Sequence, residues 1–168
     1  MKTKFTLTSN IQKLICKMEV LRYNIPCENV SHLFCDSEID VVSMNKNGYT
    51  TEYEVKISYS DFKADAKKVK KWNFYNNKIA NRICNYFYYV CPQNLININE
   101  IPKFAGLIYI ENDNIVFIKK AKLIHKLKHD KNQYLTKISR ILTERKYLGS
   151  CRFTYENKIY ENINRTYS

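Results

Sequence analysis

The sequence predicts an α/β fold, a central mixed β-sheet with helices packed on it. Apolar residues recur at helical spacing near 11–23, 61–84 and 131–148. Between these stretches lie short runs rich in valine, isoleucine and tyrosine, of strand length. The resulting order is helix, strands with a hairpin, helix, strand, hairpin, helix, which interleaves the two kinds of element as layered α/β domains do.

The first helix is expected from Ile11 to Tyr23, with Thr8, Ser9 or Asn10 as its cap. Ile11, Leu14, Ile15, Met18 and Leu21 form its inner stripe, with Arg22 inside that stripe and Glu19 at its margin. Pro26 closes this unit, and Val30–Phe34 reads as a short edge strand. The next two strands flank Asn45-Lys46-Asn47-Gly48, a hairpin signal. A two-residue loop at Asn47-Gly48 would pair Asp40 with Val55. A three-residue loop, Lys46 to Gly48 with Gly48 left-handed, pairs Asp40 with Glu54 instead. In that register Asp40, Glu54 and Lys56 share one face, while Ile39, Val41, Tyr53, Val55 and Ile57 share the other. The longer loop is the expectation.

A second helix is expected from a cap at Ser60 or Asp61 to about Cys84. Phe62, Ala66, Val69 and Trp72 should face the sheet, and Lys63, Lys67, Lys68, Lys70 and Lys71 fill most of the remaining surface. Asn85–Cys91 reads as a buried central strand stopped by Pro92. Asn94–Lys103 reads as loop. Ala105–Ile110 and Ile115–Ile118 form a hairpin around Glu111-Asn112-Asp113-Asn114. The last helix covers Lys131–Leu148, closed by Gly149. The tail from Cys151 to Ser168 has strand-like character at Phe153–Tyr155 and Lys158–Tyr160.

At 168 residues the chain is expected to be one domain, with a core over about 10–125 and the helix 131–148 and tail 150–168 packed on it. No apolar run reaches membrane-spanning length and Met1–Asn10 lacks a secretory apolar stretch, so the expected location is cytoplasmic. The six cysteines (Cys16, Cys27, Cys35, Cys84, Cys91, Cys151) show no zinc-ligand spacing and read as reduced thiols. A net charge of +12 favours a polyanionic partner, nucleic acid before membrane, because no stretch pairs a wide apolar face with a basic one. Three dispersed glycines exclude a phosphate-binding glycine loop. His32, His125 and His129 show no partner pattern, and no serine or cysteine nucleophile has a recognisable histidine.

The chemistry concentrates at Asp40 and Glu54-Val55-Lys56. Side chains alternate along a strand, so Glu54 and Lys56 point the same way while Val55 anchors the other face. Carboxylates suit a hard cation, and an ammonium beside them suits an attacked phosphate. Alone, these would pass for solvent-facing charges on an amphipathic hairpin; the surrounding pattern favours a metal site. Glu38 and Glu52 read as flanking acids that do not ligate. Asp61 and Asp65 read as first-turn acids favoured by the helix dipole, with Asp61 or Ser58 able to orient Lys56. Glu19 and Arg22 can pair across one helical turn.

Asp40 followed by Glu54-Val55-Lys56-Ile57-Ser58 on adjacent strands resembles the PD-(D/E)XK nuclease superfamily. The likeness extends to its MmcB-like DNA-repair and related phage proteins through Ser60-Asp61-Phe62, Asp65, Lys71-Trp72 with Tyr75, Tyr86–Val90 before Pro92, Ile101-Pro102 and Ala105–Ile108. The resemblance implies a restriction-endonuclease-like core and metal-dependent hydrolysis of DNA phosphodiesters in repair, recombination or phage replication. It implies magnesium, with manganese able to substitute, on Asp40, Glu54 and the Val55 carbonyl, and Lys56 at the attacking water or transition-state charge. Glu19 is the position matching the glutamate that many members add from the first helix. Arg22, Lys67, Lys68, Lys71 and Tyr75 are the expected nucleic-acid contacts, although Lys71 stands where some branches carry the glutamine of a Gln-x-x-x-Tyr motif. Ile39 stands where the superfamily name has proline. A homodimer would supply two sites for two strands. The alternatives are a catalytically silent nucleic-acid- or protein-binding adaptor on the same fold and, more weakly, RNA as substrate.

Overall fold

A computed structural model describes residues 4–31, 33 and 38–148. Six strands, β1 (Ile25–Ser31), β2 (Glu38–Met44), β3 (Thr50–Val55), β4 (Tyr86–Pro92), β5 (Gly106–Glu111) and β6 (Asn114–Lys119), lie in one sheet in chain order. β1–β2–β3 and β5–β6 pair antiparallel, while β3–β4 and β4–β5 pair parallel. Parallel neighbours need a crossover. The first is α2 (Tyr59–Asp65), α3 (Val69–Asn76) and a 3-10 turn at Ala80–Arg82; the second is a loop holding a 3-10 turn at Ile98–Glu100. This is the α/β class, with a mixed sheet flanked by helices.

α1 (Lys4–Leu21) packs Ile11 and Ile15 on one sheet face against Val41, Tyr53, Val55, Val90 and Ile108. It starts well before the expected Ile11, since Lys4–Asn10 holds no proline or glycine to stop it. β1 also starts early and includes Pro26, which an edge strand tolerates because proline's missing donor costs no ladder bond there. The opposite face is covered by Phe62, Tyr75, Phe87, Tyr89, Leu107 and their neighbours.

The β2–β3 hairpin has the expected three-residue loop. Asn45 N donates to Tyr49 O at 2.9 Å, Gly48 N donates to Asn45 O at 3.0 Å, and Gly48 sits at φ +83°. A type I turn closed by a left-handed residue needs glycine there. The ladder runs from Met44↔Thr50 to Val41↔Tyr53, and continuing it sets Asp40 opposite Glu54.

The second helix departs from expectation. Ser58, not Ser60 or Asp61, is its cap, with Oγ accepting from Asp61 N at 3.2 Å. The helix then breaks at Ala66–Lys68, and its second piece ends at Asn76 rather than near Cys84. Lys68 N donates to Asp65 O at 3.0 Å and the Trp72 indole N–H donates to the same carbonyl at 2.7 Å, which fixes the break. The helical phase is reset: Val69 is 64% exposed, whereas Lys71 and Tyr75 turn inward. The cause lies across the interface, where β3 buries Glu52 and Glu54 and burial of carboxylates demands cations.

The β5–β6 hairpin forms as expected, with Asn112 and Asp113 both left-handed in a two-residue turn. Gly106 is required by space: a Cβ there would lie 2.3 Å from the Tyr88 ring and 2.7 Å from Ala121 N. α4 (Lys131–Leu148) has the expected bounds; Asp130 Oδ1 accepts from Gln133 N at 2.9 Å as its cap, and buried Tyr134 donates to Ile25 O at 2.6 Å. The chain divides into one compact unit ending at Ile138 and another beginning at Ser139, where Arg140 Nε donates to Glu144 Oε1 at 2.7 Å. The expected closing Gly149, the tail strands, His32, Phe34, Cys35 and Cys151 lie outside the described residues. Cys16, Cys27, Cys84 and Cys91 are in no disulfide. Among the described residues no helix is long and apolar enough to cross a membrane.

Candidate functional site

The site begins where the β2–β3 ladder stops. Beyond Val41↔Tyr53, β2 pairs only with β1, through Val30↔Ile39 and Ser31↔Glu38. A continued ladder would join Val55 N–H to the backbone of Ile39. Instead it donates to the Asp40 carboxylate, Oδ2, at 2.7 Å. N–H and C=O of one strand residue project from the same edge, so the Val55 carbonyl faces the same gap. Asp40 and Glu54 thus stand opposite each other with the Val55 backbone between them.

Lys56 follows β3 directly and turns back under it. Its Nζ donates to Glu54 Oε1 at 2.7 Å and lies 3.4 Å from Asp65 Oδ1. Glu54 receives two further ammonium groups, Lys71 at 2.7 Å on Oε2 and Lys68 at 3.2 Å on Oε1. Lys71 also sits 2.7 Å from Glu52 Oε1, and the Tyr75 hydroxyl donates to Glu52 Oε2. Asp65 is fully buried and holds Lys68 at 2.8 Å and the Tyr89 hydroxyl at 2.9 Å. The cluster sets four carboxylates (Asp40, Glu52, Glu54, Asp65) against three ammoniums, and only Lys68 reaches solvent substantially, at 48%.

Protonation follows from this crowding. Burial first, then the neighbouring Glu54 charge, pushes the Asp40 carboxyl up to about 7. Burial also opposes the Glu54 charge, but Lys71, Lys56 and Lys68 outweigh it and hold that carboxyl well below the usual range. Lys71 shows the mirror image: burial works against its charge, and Glu52 and Glu54 raise its pKa regardless. Burial, followed by the Asp65 charge, raises the Tyr89 phenol far above its ordinary value, so it stays a donor.

Asp40, Glu54, Val55 and Lys56 are brought together as the sequence suggests; Glu19 is not. Glu19 is buried on the α1 side of the sheet, where its carboxylate accepts from Tyr53 OH and Asn24 Nδ2, each at 2.9 Å. Tyr53 alternates with Glu54 along β3, so Glu19 and Glu54 lie on opposite faces. From α1, the Gln12 side chain reaches the Asp40 backbone, its Nε2 donating to Asp40 O at 3.4 Å. Arg22 pairs with Glu19 at 3.4 Å and lies over the Phe117 ring, away from Glu54.

The expected phosphate-tracking ridge is also revised. Lys67 is exposed, but Lys68 is tied to Glu54 and Asp65, and Lys71 and Tyr75 are buried partners of Glu52 and Glu54. Glu52, expected to flank the site, and Asp65, expected to serve the helix dipole, are integral to the network. The signal available for Glu52 was its phase: it shares the strand face of Glu54, and its partners Lys71 and Tyr75 share a helix face four residues apart. Among the described residues no three side chains of histidine, cysteine, aspartate or glutamate form a cluster that could hold a metal ion. Any cation site here has two carboxylates plus a backbone carbonyl, all hard oxygen donors suited to magnesium.

No protein-family profile matches the chain, and no curated protein does. Among solved structures it is similar to a protein of unknown function from Silicibacter pomeroyi, at a TM-score of 0.62 and 16% identity, covering 88% of this chain and 96% of that one. At that identity the likeness shows the fold alone.

Proposed function

We propose that the protein is a magnesium-dependent nuclease hydrolysing DNA phosphodiester bonds, on a restriction-endonuclease-like core, in a cytoplasmic setting of repair, recombination or phage replication. The observation that carries this reading is the Asp40–Val55 bond. Asp40 takes the place of a ladder carbonyl, which opens the sheet at one point and gathers two carboxylates, a backbone carbonyl edge and Lys56 there. A bound magnesium ion would polarise the scissile phosphate and lower the pKa of an attacking water. Asp40, Glu54 and the Val55 carbonyl are the groups that would hold it. Lys56 supplies positive charge toward the phosphate, and Asp65 keeps a counter-charge against Lys56 when Glu54 turns to a cation. Lys68, half exposed, is the ammonium free to leave Glu54 for the substrate.

A second reading has its own support. Glu54 is already satisfied by three ammonium groups, a self-sufficient arrangement for a catalytically silent nucleic-acid- or protein-binding adaptor. Thermal melts with magnesium or manganese discriminate. Under the nuclease reading the metal raises the melting temperature of the wild type and not of Glu54→Gln, and manganese supports cleavage across a panel of linear and branched DNA, with RNA as comparison. No metal-dependent shift and no cleavage would leave the adaptor.

A further inference from the structure

We propose that the segment 120–130, a strap between β6 and α4, is a nucleic-acid backbone-binding surface distinct from the carboxylate–lysine cluster. The strap has neither helix nor strand, yet its path is fixed. Lys122 N donates to Phe104 O at 2.9 Å, Ile124 N to Asn85 O at 2.9 Å, and His129 N to Gly48 O at 2.9 Å. Asn85, fully buried, donates its side-chain amide to the carbonyls of His125 (3.0 Å) and Leu127 (2.8 Å), while its Oδ1 accepts from Thr50 N at 2.8 Å. One buried side chain thus ties the strap to the starts of β3 and β4, the sheet end opposite Val55 and Lys56.

What the strap presents is positive charge. Lys120, Lys122, Lys126 and Lys128 are exposed, followed by Lys131 at the start of α4, and none of these makes an ion pair among the described residues. The one acid nearby in sequence, Asp130, is engaged as the α4 cap. Burial, then the Lys122 charge, lowers the Lys119 pKa, as expected where like charges meet without counter-ions. The contrast with Lys56, Lys68 and Lys71 is sharp, since each of those is neutralised by carboxylates. Unpaired lysines on a pinned backbone lose little freedom on meeting phosphates and gain counterion release. Leu123 and Leu127 are exposed beside them but too few to make a membrane-inserting face.

The test needs no metal and is independent of the nuclease reading. Fluorescence anisotropy of the full chain with labelled duplex and single-stranded DNA, in a chelator and across a salt series, gives affinity and salt slope. Lys120→Gln, Lys122→Gln, Lys126→Gln and Lys128→Gln combined should weaken binding at least about tenfold and reduce the slope by about 3 to 4, at an unchanged melting temperature. The proposal is overturned if the combined variant binds DNA as the wild type does. It is equally overturned if Lys63→Gln, Lys67→Gln and Lys70→Gln remove the slope instead, or if phosphatidylserine vesicles, but not DNA, capture the protein.

Discussion

The Asp40 carboxylate accepts the Val55 N–H at 2.7 Å, a side chain doing the work of a strand. Asparagine can keep that acceptor and alanine cannot. Asp40→Asn should fold with a near-native melting temperature and lose metal-dependent cleavage. Asp40→Ala should lose cleavage and also about 1 to 3 kcal/mol of stability, the cost of an unsatisfied buried N–H. Wild-type cleavage by Asp40→Asn would remove Asp40 from the proposed metal site.

Lys71 joins Glu52 to Glu54 in the interior. Removing one member of a buried ion pair strands the others, so Lys71→Ala should cost about 3 to 5 kcal/mol in chemical denaturation. Combining Lys71→Ala with Glu52→Gln should recover part of that loss. A cost below 1 kcal/mol would mean that Lys71 is solvated in solution.

Asp65 touches Lys56 and Lys68 but not the Asp40–Val55 gap. Asp65→Asn is expected to lower the single-turnover cleavage rate at least tenfold while leaving the magnesium concentration for half-maximal thermal stabilisation within twofold. A change in metal affinity alone would assign Asp65 to the cation instead of to Lys56.

Two neighbouring carboxyls respond oppositely to pH. Asp40 is raised, from 3.8 to about 7, so its stabilising contribution is present below about pH 4 and lost as pH rises through 7. Glu54 is lowered, so its contribution is present above its unfolded pKa and lost on acidification. The Asp40 shift corresponds to about 4 kcal/mol in order of magnitude. Melting temperatures of Asp40→Asn measured from pH 4 to 8 should therefore lack a decline that the wild type shows. Parallel profiles would mean that Asp40 titrates normally.

Much of this arrangement was legible in the chain. The glycine at position 48 and the spacing from Asp40 to Glu54 dictated loop length and register, because side chains alternate along strands. The α4 bounds and the Asn112-Asp113 turn were equally readable. The break at Ala66–Lys68 was not, since none of those residues disfavours a helix; it answers to acids on another element. Glu19 misled for a related reason. Its place in the sequence matched a ligand position, but which sheet face a helix covers is a tertiary decision. β1 was displaced because Pro26 reads as a stop except on an edge.

Gly106→Ala should destabilise the sheet by about 1 to 3 kcal/mol, because the added methyl meets the Ala121 backbone as well as a ring that could move. A neutral effect in denaturant titration would show that the Ala121 segment yields.

The two groups of lysines answer to ionic strength in different ways. The Lys56 and Lys71 ammoniums, enclosed with Glu54, are shielded from dissolved ions, whereas those along the 120–130 strap are open to them. Salt accordingly separates the two: under the proposal a molar wash would strip polyanion from the strap yet leave the interior knot tied, and purification can exploit the difference.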